Sequence, residues 1–304
     1  MKDIIQDIIQ DIKQHFKNGD IITRIIYTNA AIFLGISVLG ILFSLISGNN
    51  FGSTKNDILD WIALPTNDIT SLLIKPYTFI SHMFLHVDFF HMLFNMVLLY
   101  FLGKLFLNYF SQKQLFGLYI LGGLLGALVL VLTTTLSPFF KASGIAYGAS
   151  AAVMAIAIGI TSYTPNTKVM IFGMFPVKLM WIGIAYVGSD LVSFYDSNTG
   201  GHIAHLAGAG VGYWFSASFK QGNDITKGVS KAITKLSNLF YSKPKMKVVY
   251  NQEKVKKMSD DQYNTHKKAT QNEIDAILDK ISSSGYSSLS KREKDILFQH
   301  SNKK

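Results

Sequence analysis

An all-α polytopic membrane protein is the fold class the sequence predicts, on three observations. The 304-residue chain has a mean hydropathy of +0.25, with 49% hydrophobic and only 16% charged residues. Its apolar residues come in blocks long enough to cross a bilayer as helices. Lys104 apart, its basic residues lie outside those blocks or at their edges, in the alternation expected of a threaded chain. This composition excludes a disordered chain. The absence of cysteine excludes a disulfide scaffold, thiol nucleophiles, thiolate metal sites and haem attachment. Any chemistry must therefore use oxygen or nitrogen.

Residues 1–28 open with Lys2 and then repeat Asp3-Ile4-Ile5-Gln6 as Asp7-Ile8-Ile9-Gln10. That pattern predicts an amphipathic surface helix and not the unbroken apolar stretch of a secretory signal. The first apolar block runs from about Ala30 to Ser47 and stops at the turn residues Gly48 to Gly52. Further blocks cover 82–107, 114–136, 148–163, 178–195 and 202–219, which gives six spans. An even number puts both termini on one side. Lys13, Lys17, Arg24, Lys104, Lys113, Lys168 and Lys178 then lie with the termini. Lys55, Lys75 and Lys141 lie opposite, diluted by Asp57, Asp60, Asp68 and Asp196. The positive-inside rule places both termini in the cytoplasm.

From Lys220 onward there are 18 Lys/Arg against 9 Asp/Glu, so the tail carries +9 of the formal +10. The basic balance therefore belongs to one segment, and no nucleic-acid partner is required. Ile225, Val229, Ile233, Leu236 and Phe240 recur there at helical spacing beside Lys227, Lys231 and Lys235. This fits a helix on an anionic inner leaflet, or equally a solvated basic linker. Beyond it, two short helices are expected, joined at Ser283-Ser284-Gly285, with a Ser290…Glu293 capping box opening the second. The expected division is residues 1–28, a membrane domain at 29–219, a linker at 220–270 and a helical hairpin at 271–304.

Polar side chains inside a span cost several kcal/mol unless paired, so the embedded ones are functional candidates. Three clusters qualify. The first runs from His82 to Asn95 and holds His82, His86, His91 and Asn95. His91 and Asn95 are i, i+4 and share a helix face. His82 and His86 have the same spacing, which leaves a metal site and plain interhelical hydrogen bonding as the two readings of this cluster. The second is the loop Ser143-Gly144-Ile145-Ala146-Tyr147-Gly148-Ala149 leading to Ser150 at the head of an apolar helix. From Gly148 to Tyr163 that helix is about 24 Å long at 1.5 Å per residue, short of the roughly 30 Å hydrocarbon core. The loop must then descend to membrane depth, where backbone is tolerated only if protein buries it or a wet cavity receives it. Ser150 stands at the floor of that cavity or, read blandly, in a small-residue packing face. The third is His202-Ile203-Ala204-His205, followed by a Gly208…Gly212 face that allows close helix approach. His205 lies near that face, where an imidazole could reach a serine. His202 lies nearer the aqueous boundary and is the weaker base.

Hx4HxxxN, GxS before a short helix and AHxxGxxxG, in this order on the second, fourth and sixth spans, resemble the rhomboid family of intramembrane serine proteases. The resemblance covers about residues 28–219, and the tail after about Gln271 is similar to a segment on some bacterial rhomboids. The fold it implies is a six-transmembrane-helix rhomboid bundle with a short soluble helical tail, in the cytoplasmic membrane. It implies a dyad with Ser150 as nucleophile and His205 as general base and acid. It also implies an oxyanion site built by Asn95, His91 and Gly148 with the Ser150 N–H, supported by His86. No cofactor and no metal are implied. Asp190 is not recruited, since a dyad needs no third carboxylate. The substrates implied are single-span or polytopic membrane proteins within the lipid bilayer; the oligomeric state is not legible.

This chain departs from the family pattern at three places. Ala151 stands where GxSG usually ends in Gly, and Met154 where an aromatic often stacks on the base. Tyr77 and Thr78 replace a Trp-Arg pair of the first outer loop. Two rival readings remain: a catalytically inactive rhomboid-like protein that binds transmembrane clients, and a small transporter relaying protons through His91, Asp190 and His205.

Overall fold

The computed structural model describes residues 2–48, 51–137, 144–171, 173–195, 198–240 and 260–301. Two compact units divide at Tyr241 and Ser242.

The first unit is an all-α polytopic membrane bundle. Helix α1 (Lys2–Asn18) ends at Gly19, and Asp20 caps α2 (Ile21–Ser47) through a hydrogen bond from the Thr23 N–H. The first span thus begins about nine residues before the expected Ala30, and part of the segment assigned to a surface helix belongs to it. The reason is packing: Ile22 and Ile25 are buried and belong to the main core, Ile22 lying against Gly103. After α2 come α3 (Phe51–Ile62), α4 (Ile69–Ile74) and α5 (Thr78–Ser81), then a 3₁₀ turn at His82–Phe84. Helix α6 (Phe89–Leu107) starts seven residues later than the expected span, because Asp88 adopts an extended conformation and caps it by accepting from the His91 N–H.

Helix α7 (Gln112–Leu136) opens with a Ser111/Gln114 capping box. Helices α8 (Ser150–Tyr163), α9 (Leu179–Val192) and α10 (Thr199–Lys220) complete the bundle. Between α8 and α9 lies the hairpin β3 (Lys168–Ile171) and β4 (Phe175–Lys178), in antiparallel register. Among these, α2, α6 and α7 are long and apolar enough to cross a membrane, and α8 and α9 are shorter apolar helices.

The bundle is organised around α8, which packs against α6, α7, α9 and α10. Every residue from Ala151 to Thr161 is buried, as expected of a helix apolar on all sides. The Gly208/Gly212 face of α10 points at it, and so does a second GxxxG pair, Gly122/Gly126 of α7. A Cβ on Gly208 would strike the Ala151 carbonyl, one on Gly212 the Ala155 carbonyl, and one on Gly122 the Ala155 methyl. These glycines thus serve internal packing, which draws α7 and α10 onto α8 at backbone distance.

Helix α11 (Lys227–Phe240) follows α10 after a turn. Thr226 is fully buried against Gly117 of α7, and Ile225 and Val229 pack on the main core. The start of this basic helix is therefore docked on the bundle.

The second unit, described from Asp260 to Ser301, contains α12 (Asp260–Ser284), a turn at Gly285 and α13 (Lys291–Ser301). Glu293 accepts from the Ser290 N–H at 2.6 Å and from Lys280 Nζ at 2.9 Å, which ties the two helices together. Residues 241–259, part of the expected linker, lie outside the described residues.

Candidate active site

The site forms at one end of the bundle, where α6, α8 and α10 begin and α9 ends. Its scaffold is the loop 144–149, and the question is where this loop's backbone polar groups go. Ile145–Ala146 form β2, paired antiparallel with β1 (Leu64–Pro65) from the first long loop. Thr66 N–H donates to the Gly144 carbonyl at 3.0 Å, and Thr134 Oγ1 in turn donates to the Thr66 carbonyl at 2.6 Å. Gly148 N–H donates to the His82 carbonyl at 2.9 Å. Ala149 N–H is directed at His86 Nε2 at 3.4 Å, a long contact. The strand pair, the Gly144 carbonyl and the Gly148 N–H thus tie the loop to protein, the kind of partnering that irregular backbone needs at membrane depth.

Gly148 sits at φ +126°, where L side chains are strained. A Cβ there would lie 3.0 Å from His91 Cε1 and 3.7 Å from Ser150 Oγ, so the His91 ring and the Ser150 hydroxyl flank the same glycine. His86 stacks edge-on against His91, with ring centroids 5.3 Å apart. His82 is buried, its Nδ1 donating to the Thr78 carbonyl at 2.8 Å. Asn95 is buried one turn below His91 and donates through Nδ2 to the His91 carbonyl at 2.8 Å, which leaves one amide N–H uncommitted by that bond.

Ser150 is the first residue of α8. Its Oγ lies 2.5 Å from His205 Nε2, across 55 residues of sequence. That pairing is chemically sufficient for proton transfer from the hydroxyl to the imidazole. A small cavity of about 40 Å³ adjoins the pair, lined by His82, Tyr147, Gly148, Ala151, Gly201 and Ala204 among others. It is large enough for a water molecule and too small for a peptide.

Asp190, which sequence reasoning set aside, lies at the same site. His205 Nδ1 is 2.8 Å from Asp190 Oδ1, and His202 Nδ1 reaches that same oxygen at 2.5 Å. His202 is therefore turned inward onto Asp190 and not simply toward water. The ligand-type atoms of Asp190, His202 and His205 lie within 4.8 Å of one another, the one grouping with metal-site spacing among the described residues. In this arrangement both imidazole Nδ1 atoms are at hydrogen-bond distance from a single carboxylate oxygen, which satisfies the donors without an ion. His82 and His86 join no such grouping.

The departures from the family pattern have local explanations. The Ala151 methyl faces Gly126, where an added Cβ would come within 2.8 Å of it, so the missing side chain on α7 accommodates the extra methyl on α8. Met154 is fully buried one turn below Ser150 and packs with Ile158, Ala209, Tyr186 and Val187. Tyr77 Oη donates to the Trp61 carbonyl at 2.8 Å, and Lys75 Nζ to the Asp60 carbonyl at 2.9 Å, so α3 and the turn before α5 are joined without a Trp-Arg pair.

Comparison with known families finds that a Rhomboid domain model matches residues 74–221. A family of unknown function (DUF6576) matches residues 257–303. The chain is similar to RHOMBOID-like protein 12, mitochondrial, of Arabidopsis thaliana, at 26% identity over 221 residues. That alignment covers 69% of this chain and 61% of the relative, so the chain spans about three fifths of the relative's length.

Proposed function

From the premise that the chain belongs to the rhomboid family, we propose that it is an intramembrane serine endopeptidase that cleaves other membrane proteins through a Ser150–His205 dyad. The observation that carries this reading is the 2.5 Å approach of Ser150 Oγ to His205 Nε2 beside a glycine that no side chain fills. In the acylation step Oγ attacks the scissile carbonyl carbon and its proton passes to Nε2. The tetrahedral oxyanion collapses, the C–N bond breaks, and the departing amine takes the proton from Nε2. Water then attacks the ester by the same route and restores the serine. Asn95, His91 and the Ser150 N–H are the donors that this reading assigns to the developing oxyanion, with Gly148 leaving room for the substrate backbone and His86 supporting the loop.

A helical substrate hides its carbonyls in internal hydrogen bonds. The preferred substrates are therefore transmembrane segments with weak helix formers near the membrane face that holds the site. Six crossings with both termini in the cytoplasm put that face on the outer side of a cytoplasmic membrane. The supporting asymmetry is that Arg24, Lys104, Lys113, Lys168, Lys178 and Lys220 gather toward the other end of the bundle.

A second reading rests on Ala151: a client-binding relative without catalysis. A fluorophosphonate probe separates the two. Labelling of wild type that Ser150→Ala abolishes supports the protease; a folded wild type that binds a transmembrane client and never labels supports the binding protein.

A further inference from the structure

The geometry points to Asp190 as a positioning residue for His205, extending the proposed dyad to a relay Ser150–His205–Asp190 braced by His202. This rests on the protease reading and deepens it. Asp190 is 5% exposed near the end of α9, and its Oδ1 receives two imidazole Nδ1 atoms, at 2.8 Å from His205 and 2.5 Å from His202. A carboxylate can only accept, so each Nδ1 at those distances carries the hydrogen. His205 is thereby held as the tautomer whose Nε2 has a free lone pair, and that atom faces Ser150 Oγ at 2.5 Å.

With Asn or Ala at 190 nothing enforces that choice, and the tautomer with hydrogen on Nε2 cannot take the serine proton. When His205 is protonated in the transition state, Asp190 faces the new positive charge in a site with little water to screen it. It accepts no proton itself. His202 holds the same carboxylate oxygen. The burial makes this arrangement purposeful: Asp190 Oδ2 is enclosed with no partner among the described residues, an expensive placement for an aspartate that merely joined two helices. In the next layer Met154, Tyr186 and Ala209, each four residues from a relay member, pack together.

The test uses the full-length protein in liposomes with a single-span substrate. Asp190→Asn is expected to lower kcat about 10²-fold or more with KM unchanged, and to slow fluorophosphonate labelling of Ser150 in parallel. Asp190→Glu should restore part of both. An Asp190→Asn protein with wild-type kcat and labelling overturns the proposal, as does a loss of kcat that matches the unfolded fraction. Histidine side-chain NMR supplies a readout independent of turnover. A low-field His205 Nδ1–H signal, present in wild type and Ser150→Ala and lost in Asp190→Asn, upholds the positioning even if no substrate is cleaved. Its absence from wild type overturns it. Failure of cleavage with the NMR signal intact removes the protease reading alone.

Discussion

At the scale of single residues, the site depends on atoms that are missing as much as on those present. Gly148 holds a positive φ with the His91 ring 3.0 Å from where its Cβ would be. Gly148→Ala is therefore expected to cost about 1–3 kcal/mol in strain and to remove cleavage and probe labelling together. Thermal unfolding alongside an activity assay checks both. The Ala151–Gly126 contact makes a sharper prediction. Gly126→Ala should destabilise by about 1–3 kcal/mol through overpacking, and adding Ala151→Gly should return part of that loss, because a Cβ at 126 meets the Ala151 methyl at 2.8 Å and the Ala204 carbonyl at 3.0 Å. A double-mutant cycle that is strictly additive contradicts the contact.

Ser150 and His205 were legible in the sequence because each is the odd polar residue in a small-residue setting with a recognisable spacing. Asp190 was not. Its meaning comes from the register of α9 against α10, which sets it 15 residues from His205 in sequence and 2.8 Å in space. No local pattern encodes that distance.

At the scale of elements, chain punctuation decides where polar groups sit. The six apolar blocks each fall on a helix of the bundle, yet the helix of the second begins at Phe89 and not at residue 82, because the extended Asp88 starts it. Hydropathy alone cannot see that turn, since Met83, Leu85 and Val87 are as apolar as a span. Removing the cap by Asp88→Ala should cost about 1 kcal/mol and lower activity, since the cap accepts the N–H of His91 itself.

The α12–α13 unit makes a pH prediction. Hydrogen bonds from Lys280 and from Ser290 pull the Glu293 carboxyl from 4.5 down to about 2. A lowered folded-state pKa adds stability that is complete above the ordinary value and fades as pH falls through the lowered one. Amide exchange across residues 260–301 of the full chain should therefore quicken as pH drops from about 4.5 toward 2, after correction for intrinsic rates. Glu293→Gln should flatten that response.

At the scale of the whole molecule, sequence predicted the class and the structure supplied the reason for it. Helix α8 is too short to cross alone, about 21 Å for its 14 residues. Its residues from Ala151 to Thr161 are all buried among α6, α7, α9 and α10, and the loop before it finds hydrogen bonds in β1, His82 and His86. A sunken, protein-lined site follows from that shortness. The absence of native cysteine makes the proposed threading directly measurable. Cysteines placed at Asn108 and at Gln221 should react with an impermeant thiol reagent from one side only, and one placed at Ser137 from the other. Labelling of all three from a single side contradicts six crossings.

In the proposed mechanism Ser150 and His205 together break a peptide bond. Its most direct test is to purify wild type, Ser150→Ala and His205→Ala, reconstitute each with a single-span substrate carrying a helix-breaking segment at the membrane boundary, and map the products by mass. Cleavage by wild type alone, at one bond beside that boundary, is the predicted result. Equal cleavage by either variant, or none by a folded wild type that binds the substrate, contradicts it.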